Sequence, residues 1–214
     1  MLVRDRMTSH PITISPGASV SEALRVMRDK KIKRLPVTDA TGHMVGIVAE
    51  KDLLYASPSP VTSLNVWEIH DLLGKLTVEK VMTKNVITVA DDQPLEEAAR
   101  IMDDARVGGL PVLRGNQLVG IITESDLFKA FLQFLGGRRH GVRVTARISN
   151  AKGTLAKLTT AIFAAGGDIV GLAFDEDLAT QQSDIAVKVR DVPQAKLVEA
   201  IKPAVLQIID VRET

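Results

Sequence analysis

The stretch "GIITESDLF" at residues 120–128 has a near copy, "GIVAEKDLL", at residues 46–54. In each copy, a short apolar run typical of a buried strand leads directly into the start of a helix. The second copy has Thr123 three residues before Asp126, whereas the first has Ala49 before Asp52. The threonine and aspartate fit a helix capping box, but a hydroxyl and a carboxylate at a helix N-terminus are also suited to binding a ligand. Both interpretations are open at this point.

The two stretches belong to a longer internal repeat, offset by 75 residues up to "LPV" and by 74 after it. The other matching segments are "MTSHPITI" (7–14) with "MTKNVITV" (82–89), "EALRVMRD" (22–29) with "EAARIMDD" (97–104), and "LPV" at 35–37 and 110–112. Each unit predicts a short strand (Ile12–Ile14; Val86–Val89), an amphipathic helix, two strands and a closing helix. The apolar stripe of the helix is Val20, Ala23, Leu24 and Met27 in the first unit, and Leu95, Ala98, Ala99 and Met102 in the second. A unit of about fifty residues buries its sheet poorly alone, so we expect the two copies to pack face to face.

The repeat resembles a pair of CBS domains, a cytosolic ligand-sensing module. The resemblance is carried by "LPV", by "GIITESDL", and by the pattern T-V-x-x-D-x-P-L-x-E-A at residues 88–98. It implies a first CBS motif at residues 1–56 and a second at 77–135. Between them, the spacing of Val66, Ile69 and Leu73 predicts a connecting helix within 57–76.

The remaining part of the chain predicts a further domain at residues 141–214, after a glycine-rich linker, "LGGRRHG" (135–141). Its pattern indicates a ferredoxin-like βαββαβ order. The segment "NAKGTL" resembles the ligand loop of an ACT domain, with Asn150, Gly153 and Leu155 at the matching positions, although Gly153 also fits a simple turn before a helix. The expected fold class is therefore α+β, a tandem CBS pair followed by an ACT domain. This order resembles the acetoin-utilisation protein AcuB family.

The composition argues against several classes of function. The formal net charge is +1 and aromatic residues make up 3% of the chain, so neither a basic surface nor stacking platforms favour nucleic acid. We find no signal peptide, no apolar run long enough to span a membrane, and no cysteine. The four histidines lack metal-ligand spacing, and we find no catalytic motif. We expect a cytoplasmic protein that is not an enzyme, has no metal site and does not bind membranes.

The two repeats differ in a correlated way just before "LPV". The first repeat has Lys33 and Arg34 there, whereas the second has Gly108 and Gly109, which offer neither a charge nor a donor side chain. The CBS resemblance implies that residues at this position reach the nucleotide held by the other copy. A capping role alone would not predict that the copy with Thr123 faces the copy with the basic pair.

We therefore predict one nucleotide site. Its residues are Asp126 on the ribose, Thr123 on phosphate, Lys33 and Arg34 neutralising phosphate, and the segment containing Val86 and Thr88 beside the adenine. The position around Asp52 is predicted to be degenerate, because Ala49 supplies no hydroxyl.

The resulting functional expectation is a regulatory sensor that requires no cofactor and binds AMP, ADP, ATP or S-adenosylmethionine. An ACT domain would add amino acid binding, and both domain types imply a homodimer. The alternative is a scaffold with vestigial sites that only holds partners together. The sequence does not identify the regulated target.

Overall fold

The structure, a computed structural model, describes residues 1–56, 75–177 and 179–214. This part of the chain divides into two compact units, Met1–Leu127 and Phe128–Thr214. Most of the predicted connecting helix, including Trp67, lies outside the described residues. No helix in the described ranges is long and apolar enough to cross a membrane.

The first unit contains the first repeat and the second repeat as far as Leu127, in the first turn of its closing helix. The elements of the first repeat are β1 (Thr8–Ser9), α1 (Val20–Lys30), β2 (Arg34–Thr38), β3 (Met44–Ala49) and α2 (Glu50–Tyr55). Those of the second repeat are α3 (Val78–Val81), β4 (Val89–Ala90), α4 (Leu95–Ala105), β5 (Gly109–Arg114), β6 (Gln117–Thr123) and α5 (Glu124–Phe134). The first strand of each repeat differs from the prediction: Ile14 makes only an isolated bridge with Val37, and β4 starts at Val89.

The helices α1 and α4 occupy equivalent positions and bury equivalent faces. In α1 the buried residues are Val20, Ala23 and Met27; in α4 they are Leu95, Ala98 and Met102. The predicted stripe at every third or fourth residue is therefore the face packed on the core. Ser19 caps α1 by accepting a hydrogen bond from the backbone N–H of Glu22 at 3.1 Å. Both helices end at a residue in the left-handed conformation, Lys31 and Arg106.

The two repeats exchange their N-terminal segments. Strand β1 of the first repeat pairs antiparallel with β6 of the second, with Thr8 opposite Ile121. In return, Thr83 of the second repeat exchanges two backbone hydrogen bonds with Ile47 in β3, at 2.9 and 3.0 Å. The glycine before each of these partners makes room for the exchange: a methyl group on Gly46 would lie 2.6 Å from Sδ of Met82, and one on Gly120 would collide with Met7. Each repeat thus completes the sheet of the other.

The second unit is a four-stranded antiparallel sheet with two helices. Its elements are β7 (Val142–Ser149), α6 (Thr154–Ala164), β8 (Asp168–Asp177), β9 (Gln182–Arg190), α7 (Gln194–Ile201) and β10 (Gln207–Glu213). The strand order is β10-β7-β9-β8. Apolar residues alternate along β7 and pack with both helices in one core, which includes Val144, Ile148, Leu158, Ile185 and Leu197. The βαββαβ order is as predicted.

The segment predicted as a linker is packed against this sheet at its start. A methyl group on Gly171 in β8 would lie 2.5 Å from the carbonyl oxygen of Leu135 and 2.7 Å from the nitrogen of Gly136. Nζ of Lys188 in β9, a buried residue, donates a hydrogen bond to the carbonyl of Gly136 at 3.2 Å. Since backbone lies directly on backbone here, only glycine fits at position 171.

Candidate functional site

A cavity of about 450 Å³ opens between the two repeats of the first unit. Its size lies in the range of small-molecule sites. Both repeats contribute to its wall, as the exchange of N-terminal segments requires. The lining residues are Lys33, Arg34, Ile47, Ala49, Glu50, Lys51, Asp52, Thr83, Asn85, Val86, Ile87, Val107, Gly108, Gly109 and Pro111.

Asp52 is the carboxylate of this cavity that is best placed for a ligand. Its Oδ2 accepts a hydrogen bond from the backbone N–H of Ala49 at 3.0 Å, which fixes the side chain at the start of α2. Its Oδ1 has no hydrogen-bond partner among the described residues. A carboxylate held in this way presents an acceptor to a pair of hydroxyl groups.

The wall opposite is backbone that the exchange brings from the second repeat. Thr83 is fixed on β3 by its hydrogen bonds to Ile47, and the chain then passes along the cavity at Val86 and Ile87. The backbone N–H and C=O groups of Val86 and Ile87 make no hydrogen bond within the described part of the chain. Backbone N–H and C=O groups are strong donors and acceptors. The segment at Val86 and Ile87 is therefore suited to hydrogen bonding with the edge of a planar heterocycle.

The charged residues of the cavity are Lys33, Arg34 and Lys51 against Glu50 and Asp52, an excess of one positive charge. The guanidinium of Arg34 suits a bidentate grip on phosphate, and the ammonium groups of Lys33 and Lys51 act as point charges. Lys33 is exposed, and Arg34 is half-buried. The predicted basic pair thus lies at a cavity.

The predicted pair Thr123 and Asp126 forms a helix cap in this structure. Oδ2 of Asp126 accepts hydrogen bonds from the backbone N–H of Thr123 at 3.1 Å and from its hydroxyl at 2.7 Å. The equivalent backbone bond is the one between Ala49 and Asp52 in the first repeat. Ala49 therefore removes the hydroxyl but keeps the backbone geometry.

The cavity brings together some of the predicted site residues and not others. Val86 lines the cavity with Asp52, whereas Thr123, Asp126 and Thr88 are not among its lining residues. The reason is the exchange: the segment before β4 crosses to the first repeat, and Thr8 to His10 cross to β6 beside Asp126. Arg34 lies close to both groups of residues. It lines the cavity, and a methyl group on Gly109 would lie 3.2 Å from its Cδ and 3.3 Å from Cγ2 of Thr123.

Sequence reasoning missed several lining residues, among them Ile47, Lys51, Thr83, Asn85 and Ile87. The signal that would have found them is the repeat itself. The paired glycines Gly46 and Gly120 lie at equivalent positions within β3 and β6, and each faces a methionine from the other repeat.

In the second unit, the predicted loop residues are held within the domain. Nδ2 of Asn150 donates to Glu176 at 3.2 Å, and its Oδ1 accepts a hydrogen bond from Ser183. Gly153 has φ of +87° with open space around its Cα, so the turn requires glycine for its backbone conformation. Leu155 is half-exposed. Among the described residues, no group of acidic or histidine side chains could hold a metal ion.

Comparison with known families gives the chain a classification. The model of the CBS domain matches residues 3–59 and 78–133, the two repeats. The chain belongs to the CBS-domain family. This match ends at residue 133 and does not include the sheet β7–β10 of the C-terminal unit.

The CBS pair has relatives of known sequence and structure. The CBS domain-containing protein DDB_G0289609 of Dictyostelium discoideum is 37% identical over 139 residues, which are 63% of this chain and 94% of that protein. L-aspartate semialdehyde sulfurtransferase of Methanocaldococcus jannaschii is 31% identical, but the match covers 64% of this chain and only 24% of the enzyme. This second similarity is therefore to one part of a larger protein.

Three solved structures are similar to the CBS pair. A putative acetoin utilization protein (AcuB) from Vibrio cholerae is 32% identical, with a TM-score of 0.53 over 62% of this chain and 90% of its own. The CBS pair of MJ0100, in complex with 5-methylthioadenosine and S-adenosyl-L-methionine, is 31% identical, with a TM-score of 0.52 over 65% and 98%. CBSX2 in complex with AMP is 32% identical, with a TM-score of 0.51 over 62% and 96%.

Proposed function

We propose that this CBS pair binds an adenosine nucleotide in the cavity at Asp52 and acts as a regulatory sensor, not as an enzyme. The observation that carries the proposal is the cavity itself. It combines the carboxylate of Asp52, the backbone of Val86 and Ile87, which makes no hydrogen bond to any described residue, and the cations Lys33 and Arg34. The complexes of MJ0100 and CBSX2 with adenosine derivatives support this choice of ligand class.

Each part of the ligand has a counterpart in the wall. Oδ1 of Asp52 accepts hydrogen bonds from the two ribose hydroxyls. An ionised carboxylate is suited to this role because it only accepts hydrogen bonds and carries no donor of its own. The adenine edge pairs with the backbone at Val86, and its faces contact apolar groups such as Ile47 and Pro111. The phosphate lies towards Lys33 and Arg34. The predicted roles of Lys33, Arg34 and Val86 are kept, and the ribose role moves from Asp126 to Asp52.

The alanine at position 49 limits how phosphate is bound. A threonine hydroxyl would add a direct donor there, and its absence leaves phosphate to the cations of the cavity. AMP is therefore expected to gain affinity over adenosine mainly by electrostatics, which weaken as salt rises. S-adenosylmethionine has a positive centre in place of phosphate, so its affinity should follow the opposite trend with salt.

Isothermal titration calorimetry tests the ligand class. The full chain is titrated with AMP, ADP, ATP, S-adenosylmethionine and adenosine, and with GMP as the control purine. We expect adenosine ligands to bind and GMP to bind at least tenfold more weakly, because guanine reverses the donor and acceptor at the base edge. Equal affinity for AMP and GMP, or no heat with any ligand at millimolar concentration, would contradict the proposal.

The wider assembly is also part of the proposal. We expect a cytoplasmic homodimer in which the C-terminal unit is an ACT domain that takes a small molecule such as an amino acid. The βαββαβ order of that unit supports this assignment. Two ligand sites on one chain would be coupled reciprocally. If an amino acid changes the affinity for AMP by some factor, AMP must change the affinity for that amino acid by the same factor.

A further inference from the structure

The side chain of Arg34 lies in a slot made by two glycines of the other repeat. A methyl group on Gly109 would lie 3.2 Å from Cδ of Arg34, and one on Gly108 would collide with its Nη2. The aliphatic part of Arg34 therefore passes over Gly109, and the guanidinium reaches Gly108. Larger residues at these positions would displace it.

A carboxylate lies on the other side of the same slot. The methyl group imagined on Gly108 would also lie 2.7 Å from Oε2 of Glu124. Glu124 is the first residue of α5, and its backbone N–H donates to the carbonyl of Gly108 at 3.3 Å. Because Gly108 carries no side chain, the guanidinium of Arg34 and the carboxylate of Glu124 face each other across it, and the described residues show no ion pair between them.

The equivalent place in the first repeat has no such opposition. Glu50 corresponds to Glu124, and Gly109 corresponds to Arg34. Glu50 lines the cavity together with Gly108 and Gly109, so the other repeat presents glycine where Glu124 meets an arginine. The opposition of Arg34 and Glu124 is thus an asymmetric feature added to a symmetric frame.

We propose that Glu124 is a specificity-determining residue of the cavity: its carboxylate lies across Gly108 from the guanidinium of Arg34, and it makes a phosphate compete with a carboxylate for that guanidinium. This inference rests on the proposed binding of adenosine ligands. A bidentate phosphate is the stronger partner, so it can take Arg34, but part of its binding energy is spent on drawing the guanidinium away from Glu124. A ligand without phosphate does not bind the guanidinium of Arg34, so its affinity should not depend on Glu124.

If Glu124 competes for Arg34, its removal should affect AMP but not adenosine, although the two ligands share a nucleoside. In Glu124→Gln, the affinity for AMP should rise about threefold to fivefold, the upper part of the range for removing one exposed charge interaction. The affinity for adenosine should stay within about twofold. Raising the salt concentration should reduce the gain for AMP, since the competition is electrostatic.

Two further variants distinguish the role of Arg34 from simple repulsion between Glu124 and phosphate. In the Arg34→Gln background, Glu124→Gln should improve AMP binding by less than half as much, on a logarithmic scale, as in the wild type. In Gly108→Ala, the new methyl group meets only the ends of two flexible side chains, so the fold should persist while AMP loses affinity relative to adenosine. Glu96→Gln, which removes an exposed charge from α4, is the matched control and should change neither affinity.

Calorimetry on the full-length chain with AMP and adenosine measures all of these ratios, and melting temperatures without ligand verify folding. A raised AMP-to-adenosine affinity ratio in Glu124→Gln, but not in the double variant, supports the inference. An unchanged ratio in Glu124→Gln, with wild type binding both ligands, overturns it and leaves the proposed function intact. An equal gain in both backgrounds overturns the role of Arg34. Wild type that binds neither ligand overturns both proposals.

Discussion

The two capping aspartates offer a direct test of which repeat supplies the ribose-binding carboxylate. We consider Asp52→Asn, with Asp126→Asn as the matched variant in the second repeat. An asparagine oxygen can still accept the backbone N–H of residue 49 or 123, so each variant keeps its cap and loses the negative charge. Unliganded stability should therefore change by less than about 1 kcal/mol in both, the usual size of a cap.

The difference should appear only with ligand. Hydrogen bonds to a charged group contribute about 1.5–3 kcal/mol, so Asp52→Asn should weaken AMP binding by about tenfold to a hundredfold. At a concentration 100 times its Kd, AMP stabilises the wild type by about 2.7 kcal/mol. At that same concentration, Asp52→Asn should retain about 1.4 kcal/mol or less.

The assay is thermal unfolding with and without AMP. For a chain of this size, a stabilisation of 1 kcal/mol raises Tm by about 2–4 °C. Asp126→Asn should keep the full ligand-induced shift, because Asp126 does not line the cavity. Loss of the shift in Asp126→Asn and its retention in Asp52→Asn would refute the assignment and restore the grouping inferred from sequence.

Three other predictions concern stability. Thr123→Ala should lower the unfolding free energy by about 1 kcal/mol in the absence of ligand, because the hydroxyl bonded to Asp126 is lost, and Thr123→Ser should restore it; chemical denaturation measures both. Gly171→Ala should destabilise the second unit by more than about 3 kcal/mol, since its methyl group meets the backbone of Leu135 and Gly136; a change below 1 kcal/mol would show that this packing is wrong. The hydrogen bond from Arg114 lowers the pKa of Asp91, so this pair stabilises the fold above the ordinary aspartate pKa and its contribution is lost as pH falls through the lowered value. Asp91→Asn should accordingly flatten the acid limb of stability against pH, and an unaltered acid limb would exclude the pair as its source.

The sequence was informative wherever the signal was local or repeated. The spacing of Val20, Ala23 and Met27 predicted the buried face of α1, and the internal match predicted the same face in α4. The βαββαβ order of the C-terminal unit also followed from alternation and glycine positions. In each case the pattern lies within one element or between two similar ones.

The site was harder to predict, because its grouping depends on contacts between distant segments. Nothing local to Val86 shows that it lies beside Asp52 and not beside Asp126. That choice is made by Thr83 on Ile47, a pairing between residues far apart in the chain. Gly108 and Gly109 were interpreted as positions that contribute no group, whereas their missing side chains provide the space for Arg34.

Because the N-terminal segments are exchanged, a substitution in one half of the CBS pair can disturb the sheet of the other half. A substitution at Met7 acts on the sheet that carries Asp126, and one at Met82 acts on the sheet that carries Asp52. Neither half can be transplanted, duplicated or deleted by itself, because its sheet would lose the segment that the other half supplies. A truncated chain that carries one copy alone should therefore expose apolar surface that the other copy covers.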